Sequence, residues 1–211
     1  MAAADRRRWN ERFAAEGERA AGPPLPRLVA QEALLRRALA PGDPQRGPPL
    51  ALDLACGPGR NSLYLAGLGY TVDAWDISDV ALARLTAAAA AAGLGERIRT
   101  RRVDLDDVEA PAGAGAGAGA AVRLPPGAYR LVVDSYFLDR RLLPALAAAV
   151  APGGLLYLET LLSTPQRPGR PDYYLQPGEL GAAFPSLRTR YLEESAGGEG
   201  GWAALLAGGG D

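Results

Sequence analysis

The chain has 211 residues with 23 basic and 24 acidic side chains, a net charge of -1 that provides no basic field suited to nucleic acid or an anionic membrane. It has no histidine, which excludes histidine triads, histidine general bases and zinc sites with histidine ligands. A single cysteine, Cys56, excludes an internal disulfide and cysteine-rich metal sites and suits a cytoplasmic protein.

Every cation is arginine; with abundant Ala, Gly and Pro this reflects a GC-rich coding sequence rather than a function. Residues 1–17 are charged and lack the apolar centre of a signal peptide, and no apolar run reaches the length of a membrane span. A short helix is expected over Arg6–Gly17, with Trp9 and Phe13 one turn apart, broken by Gly22–Pro26. An amphipathic helix follows over Leu28–Leu39, ended by Pro41 and Gly42, then a linker over Pro44–Pro49. Leu50–Ala55 reads as strand one and Asn61–Leu68 as the helix after it. Tyr70–Trp75 is strand two, closed by Asp76, and Asp79 is the expected N-cap of a helix over Val80–Ala92.

Ile98–Val103 is strand three. The Gly/Ala tract 113–121 has little to bury and reads as a flexible surface insert. Tyr129–Asp134 is strand four, Arg140–Val150 a helix, and Gly154–Glu159 strand five, whose near-continuous apolar run suits a sheet covered on both faces. A short helix over Gln176–Phe184 and a terminal hairpin of Leu187–Glu194 with Trp202–Leu206 complete the chain. The alternation implies a Rossmann-like, doubly wound α/β fold. Its seven-stranded sheet is mostly parallel, with helices on both faces and an antiparallel C-terminal strand. Ligands in such sheets bind outside the carboxyl ends of the strands, where Asp53, Asp76, Asp104 and Asp134 fall.

The segment 50–61, Leu-Ala-Leu-Asp-Leu-Ala-Cys-Gly-Pro-Gly-Arg-Asn, carries most of the functional information. An apolar run ends near Asp53, two glycines make a tight turn at Gly57 and Gly59, and a helix opens at about Asn61. Glycine there lets a ligand approach the backbone closely. The dinucleotide fingerprint G-x-G-x-x-G would need a third glycine where Ser62 stands. The pattern instead resembles motif I of class I S-adenosylmethionine-dependent methyltransferases, D-x-[GA]-x-G-x-G, matched by Asp53, Ala55, Gly57 and Gly59, with alanine where many members have glycine. Cys56 inside this turn reads as a small packed residue rather than a nucleophile.

Further segments carry the resemblance. Asp76 closes strand two nineteen residues after Gly57 and, with Ile77, is placed for adjacent ribose hydroxyls, a device shared with NAD enzymes. The resemblance implies that Asp104 accepts from the adenine amino group and that Leu105 donates its N–H to a ring nitrogen. It places Asp134, Ser135 and Tyr136 beside the methionine moiety and methyl donor. Pro152-Gly153-Gly154 matches the turn before strand five. Gly59-Arg60-Asn61, Trp9-Asn-Glu-Arg-Phe13 and residues 172–180, Asp-Tyr-Tyr-Leu-Gln-Pro-Gly-Glu-Leu, are similar to the small bacterial TehB-like group.

The implied cofactor is S-adenosyl-L-methionine, bound in one domain over 1–211. That domain has an N-terminal helical segment (1–46), a cofactor-binding core (47–160) and an acceptor-side loop with terminal hairpin (161–211). The implied reaction is in-line methyl transfer to a small molecule such as a thiol or chalcogen oxyanion, with no metal. Arg167 and Arg170 are candidates to attract an anionic acceptor, and Tyr136, Tyr173 and Tyr174 to wall its pocket. A non-catalytic S-adenosylmethionine-binding protein and a nicotinamide-dependent oxidoreductase stand as alternatives.

Overall fold

The structure, a computed structural model, describes residues 2–17, 21–39, 48–108, 123–165, 172–197 and 200–209. The Gly/Ala tract 113–121 and the candidate residues Arg167 and Arg170 lie outside the described residues. Three helices precede the sheet: α1 (Ala2–Ala15), α2 (Pro26–Ala30) and α3 (Glu32–Ala38). The core then runs β1 (Leu50–Leu54), α4 (Arg60–Leu68), β2 (Thr71–Asp76), α5 (Asp79–Ala91), β3 (Ile98–Arg102), β4 (Tyr129–Ser135), α6 (Leu143–Ala149), β5 (Val150–Leu162), α7 (Glu179–Ala182), β6 (Arg188–Ser195) and β7 (Gly201–Gly208).

These strands form one seven-stranded sheet in the order β3-β2-β1-β4-β5-β7-β6. β1, β2, β3, β4 and β5 pair in parallel, whereas β7 is antiparallel to both β5 and β6. The chain has the expected Rossmann-like, mostly parallel α/β fold. Strand order reverses between β1 and β4, which opens the crevice where ligands bind in such folds.

Period-two alternation divides the sheet's side chains between two cores. Leu52, Leu54, Val132, Leu156 and Leu158 face one side with Leu142, Leu146, Leu180 and Phe184. Ala51, Leu131, Val133, Leu155 and Tyr157 face the other with Leu28, Leu35, Leu65, Leu82 and Leu85. Both faces are covered, so the central strands are apolar throughout, and each buried leucine contributes roughly 1.5–3 kcal/mol.

Local departures from the expected elements have physical causes. The helix expected over Leu28–Leu39 is interrupted at Gln31, where φ -93° and ψ 9° leave the helical well. The start of that segment is held elsewhere, because Leu25 N–H donates to Asn61 and Arg27 pairs with Glu159. The N-cap of α5 is Ser78 rather than Asp79: the Ser78 hydroxyl accepts from Ala81 N at 3.1 Å. α6 begins at Leu143 because the Asp139 carboxylate takes the Arg141 N–H and guanidinium into a turn. β5 opens at Val150 and spans the Pro152–Gly154 turn. A Cβ on Gly154 would lie 2.8 Å from Ala151 O and 3.0 Å from Arg130 O, so only glycine fits between those backbones. α7 keeps only Glu179–Ala182 of the helix expected over Gln176–Phe184.

Candidate active site

The chain leaves β1 through a left-handed loop: φ is 51° at Ala55, 54° at Gly57 and 88° at Gly59. Ala55 occupies a conformation that glycine adopts without strain, the physical reason glycine suits its motif position. A Cβ on Gly59 would lie 2.1 Å from Leu85 Cδ1, so α5 closes against the loop there. The loop is tied down by Cys56 N to Trp75 O and Gly59 N to Cys56 O, both at 3.0 Å. Cys56 is buried and its thiol is pushed up by burial, which leaves it a packing residue.

Three buried carboxylates surround this turn. Asp76 Oδ2 accepts from Gly57 N and Oδ1 from Ser78 N, both at 2.8 Å, so one side chain clamps the β1–α4 and β2–α5 loops together. Burial raises its pKa against these bonds. Asp53 Oδ2 accepts from the Ser62 hydroxyl at 2.5 Å, and burial pushes Asp53 up to about 7 although that bond opposes the shift. Asp134, at the end of β4, is pushed well above the usual carboxylate range by burial and then by the charge of Asp53. Among the described residues, Asp53 Oδ1 and Asp134 Oδ1 have no hydrogen-bond donor. A buried acceptor without a donor is costly, so each of these oxygens can take a further hydrogen bond.

Asn61, the second residue of α4, is engaged at both ends of its amide. Its Oδ1 accepts from Leu25 N at 3.1 Å, and its Nδ2 donates to Ser135 Oγ at 3.2 Å. It therefore ties the N-terminal segment and the end of β4 to the loop. Ile77 is half-buried between Asp76 and Ser78. Asp104 caps the turn Leu105–Asp107, accepting from Asp106 N at 3.1 Å, and Leu105 is buried. Tyr173 is exposed, while Tyr174 O accepts from Arg140 Nη2 at 3.1 Å in a loop held by the Arg140–Glu179 pair.

Several neighbours of the site escaped sequence reasoning. α1 lies across the loops: Asn10 Oδ1 accepts from Ser78 Oγ at 2.7 Å, and the Phe13 ring sits 3.5 Å from where a Gly57 Cβ would be. Its Trp-Asn-Glu-Arg-Phe signal was visible without a location. On the far side, Glu159 is fully buried in β5. Its carboxylate accepts from Arg27 Nη1 at 2.8 Å, Tyr136 Oη at 3.0 Å and Tyr157 Oη. Arg27 is stacked on Trp202, 3.2 Å from the ring centroid. A lone acid in an apolar strand was the available signal, since such a charge requires partners. Tyr136 has φ 57°, and Arg60 lies 5.5 Å from its ring centroid.

Comparison with known proteins bears on the fold and on the segment that carries the glycine loop. The family described as tellurite resistance protein TehB matches residues 46–112. Two curated relatives, probable S-adenosyl-L-methionine-dependent methyltransferases TehB from Haemophilus influenzae strains 10810 and ATCC 51907, are each 59% identical over 34 residues. That stretch is 16% of this chain and only 12% of either relative. The crystal structure of TehB from Haemophilus influenzae superposes with a TM-score of 0.64 at 20% identity, covering 96% of this chain and 67% of that one. Geranyl diphosphate C-methyltransferase from Streptomyces coelicolor A3(2), in complex with Mg2+, geranyl diphosphate and S-adenosyl-L-homocysteine, gives 0.61 at 12% identity, covering 85% and 78%. At such identities the superpositions speak to fold alone. Residues 46–112 are TehB-like, in a chain that has the fold of the class I S-adenosylmethionine-dependent methyltransferases.

Proposed function

We propose that the chain is an S-adenosylmethionine-dependent methyltransferase acting on a small molecule. The observation that carries the reading is the left-handed loop Ala55–Gly59 set beside buried carboxylates whose Asp53 Oδ1 and Asp134 Oδ1 lack donors among the described residues. S-adenosylmethionine fits such a cradle because its methionine moiety carries an ammonium donor and a positive sulfonium. Asp53 and Asp134 serve that cationic end. Asp76 and Ile77 hold the ribose, Asp104 and Leu105 the adenine edge, and Ser135 and Tyr136 flank the methyl donor. Gly57, Gly59 and Ala55 let the ligand reach the backbone, and Asn61 braces the loop.

When bound, the cofactor supplies an electrophilic methyl. The chain contributes alignment and exclusion of water, the main sources of rate in a displacement that discharges a positive sulfur. α1 covers the cofactor side through Asn10 and Phe13. The acceptor enters between the ends of β4 and β5, with Tyr136, Tyr173 and Tyr174 as walls and Arg167 and Arg170 as proposed contributors. The whole chain serves as one domain, in a reducing cytoplasmic compartment that suits its buried single thiol.

A nicotinamide oxidoreductase is disfavoured by Ser62, whose hydroxyl is buried against Asp53 where the dinucleotide fingerprint needs glycine. The test is a transfer assay with methyl-labelled S-adenosylmethionine and a panel of thiols, alcohols, amines and chalcogen oxyanions. Label in a small-molecule product is expected. Tight cofactor binding with no product from any acceptor would leave the non-catalytic alternative standing.

A further inference from the structure

We propose that Glu159 is a positioning residue for methyl transfer, holding Tyr136 beside the cofactor cradle through its carboxylate and its main-chain carbonyl together. The proposal rests on the methyltransferase reading and is independent of the class of acceptor.

Glu159 lies in β5 opposite Ser135, the last residue of β4. Tyr136 follows directly, and there the chain leaves the strand at φ 57°, a conformation that a residue with a Cβ rarely adopts. Two bonds to one partner hold it. Tyr136 N–H donates to Glu159 O at 2.8 Å, and Tyr136 Oη donates to Glu159 Oε1 at 3.0 Å. Backbone strain of this kind persists where surrounding contacts over-determine it, and it clusters at functional sites.

The carboxylate has donors enough without this phenol. Glu159 is fully buried, and a buried charge requires partners. Arg27 Nη1 supplies Oε1 at 2.8 Å, and Tyr157 supplies Oε2. Paired to Arg27, Glu159 is the acceptor in all three bonds. The third bond therefore acts on the tyrosine rather than on the acid. Burial, and then the charge of Glu159, push the Tyr136 phenol up, so it keeps the proton that it donates.

Tyr157 on the same carboxylate is fully buried, whereas Tyr136 is 47% exposed. A side chain that open adds little to the core, so fixing it serves what it faces. Ser135 beside it accepts from Asn61 Nδ2 at 3.2 Å, and the Arg60 guanidinium lies over its ring, 5.5 Å from the centroid. Arg60 and Asn61 are the first two residues of α4 after the glycine loop. Glu159 thus sets the tyrosine against the element that opens the cofactor cradle. A fixed wall there keeps methyl donor and acceptor aligned, and a displacement of about 1 Å can cost on the order of a hundredfold in rate.

The test is a double-mutant cycle in the full chain, with label transfer from methyl-labelled S-adenosylmethionine to selenite, tellurite, 2-mercaptoethanol and thiophenol. The kcat values are compared on whichever acceptors the wild type turns over, beside calorimetric titration with the cofactor. Tyr136→Phe and Glu159→Gln remove the same bond. Each is expected to lose about tenfold in kcat and to bind S-adenosylmethionine within twofold of wild type, and the double variant is expected to lose no more than either single one. Tyr157→Phe removes a different bond from the same carboxylate; it is expected to lower the melting temperature with kcat within threefold of wild type. A hundredfold loss in the double variant, or a loss in Tyr157→Phe equal to that of Glu159→Gln, would make Glu159 a merely structural acid and overturn the proposal. Tyr136→Phe leaves Glu159 its two other donors and folds even where Glu159→Gln does not, so an unchanged kcat in that variant alone also overturns it. A wild type that binds S-adenosylmethionine and methylates nothing would instead overturn the methyltransferase reading, and the proposal with it.

Discussion

Asp76 joins two loops, with one oxygen on Gly57 N, nineteen residues before it, and the other on Ser78 N. Each oxygen keeps a second lone pair, the pair that a ribose diol would use. Asp76→Ala is therefore expected to weaken S-adenosylmethionine binding by about 1.5–3 kcal/mol, the scale of hydrogen bonds to a charged group. It is also expected to lower the melting temperature, because two N–H groups lose their acceptor. Calorimetry and thermal unfolding separate the two effects; unchanged affinity in a folded variant would remove Asp76 from the site. Asp53 makes a pH prediction. Burial raises its folded pKa to about 7 from an ordinary 3.8, so between those values the folded chain holds a proton that the unfolded chain has released. Its contribution to stability is consequently greatest at low pH and declines as pH rises through that window. An ammonium docked on Asp53 Oδ1 would expel the same proton. Cofactor affinity should rise with pH up to about 7, with proton release detectable in buffers of different ionisation enthalpy. Absence of release, or identical release in Asp53→Asn, would contradict that role.

Among the elements, α1 is the one whose position the sequence could not reveal. Its helical pattern and its Trp9–Phe13 spacing were legible, and the two rings do stack at 5.7 Å. What they cover was not, because Asn10 meets Ser78 across 68 residues of chain. Phe13→Ala is expected to weaken cofactor binding several-fold, since its ring lies 3.5 Å from where a Gly57 Cβ would be; an equal affinity would make α1 a bystander. The N-cap of α5 was misplaced by one residue because Ser78 and Asp79 both suit the role and only backbone geometry chooses between them. Ser78→Ala should cost about 1 kcal/mol of stability, measurable by denaturant unfolding, as caps generally do. The Gly/Ala tract 113–121 lies outside the described residues, between the turn after β3 and the start of β4. Loop closure costs only about 0.6 kcal/mol per doubling of length, so deleting 113–119 is expected to leave cofactor affinity and melting temperature nearly unchanged. A large loss of melting temperature would show that the tract packs.

At the scale of the molecule, the sheet was legible because its order follows from alternation and handedness, and because both faces are buried, giving runs such as Leu155–Leu158. Motif I was legible for a different reason: its chemistry is local, with the acid, the small residues and the turn all within Asp53–Gly59. The cluster around Glu159 was not legible in this way: Glu159 is joined to Arg27 over 132 residues and to Tyr136 over 23, and no local pattern encodes such a cluster. The segment 161–176 pointed to Arg167 and Arg170, which lie outside the described residues; the described geometry places Arg27 and Arg60 near Tyr136. All of this depends on one claim, that the loop Ala55–Gly59 and its buried acids receive S-adenosylmethionine. The most direct measurement is isothermal titration of the full chain with S-adenosylmethionine, S-adenosylhomocysteine and NAD in parallel. S-adenosylmethionine and S-adenosylhomocysteine are expected to bind one to one with dissociation constants on the order of micromolar, about -8 kcal/mol, and NAD not at all. Binding of NAD in preference to both, or of none of the three, would contradict the claim.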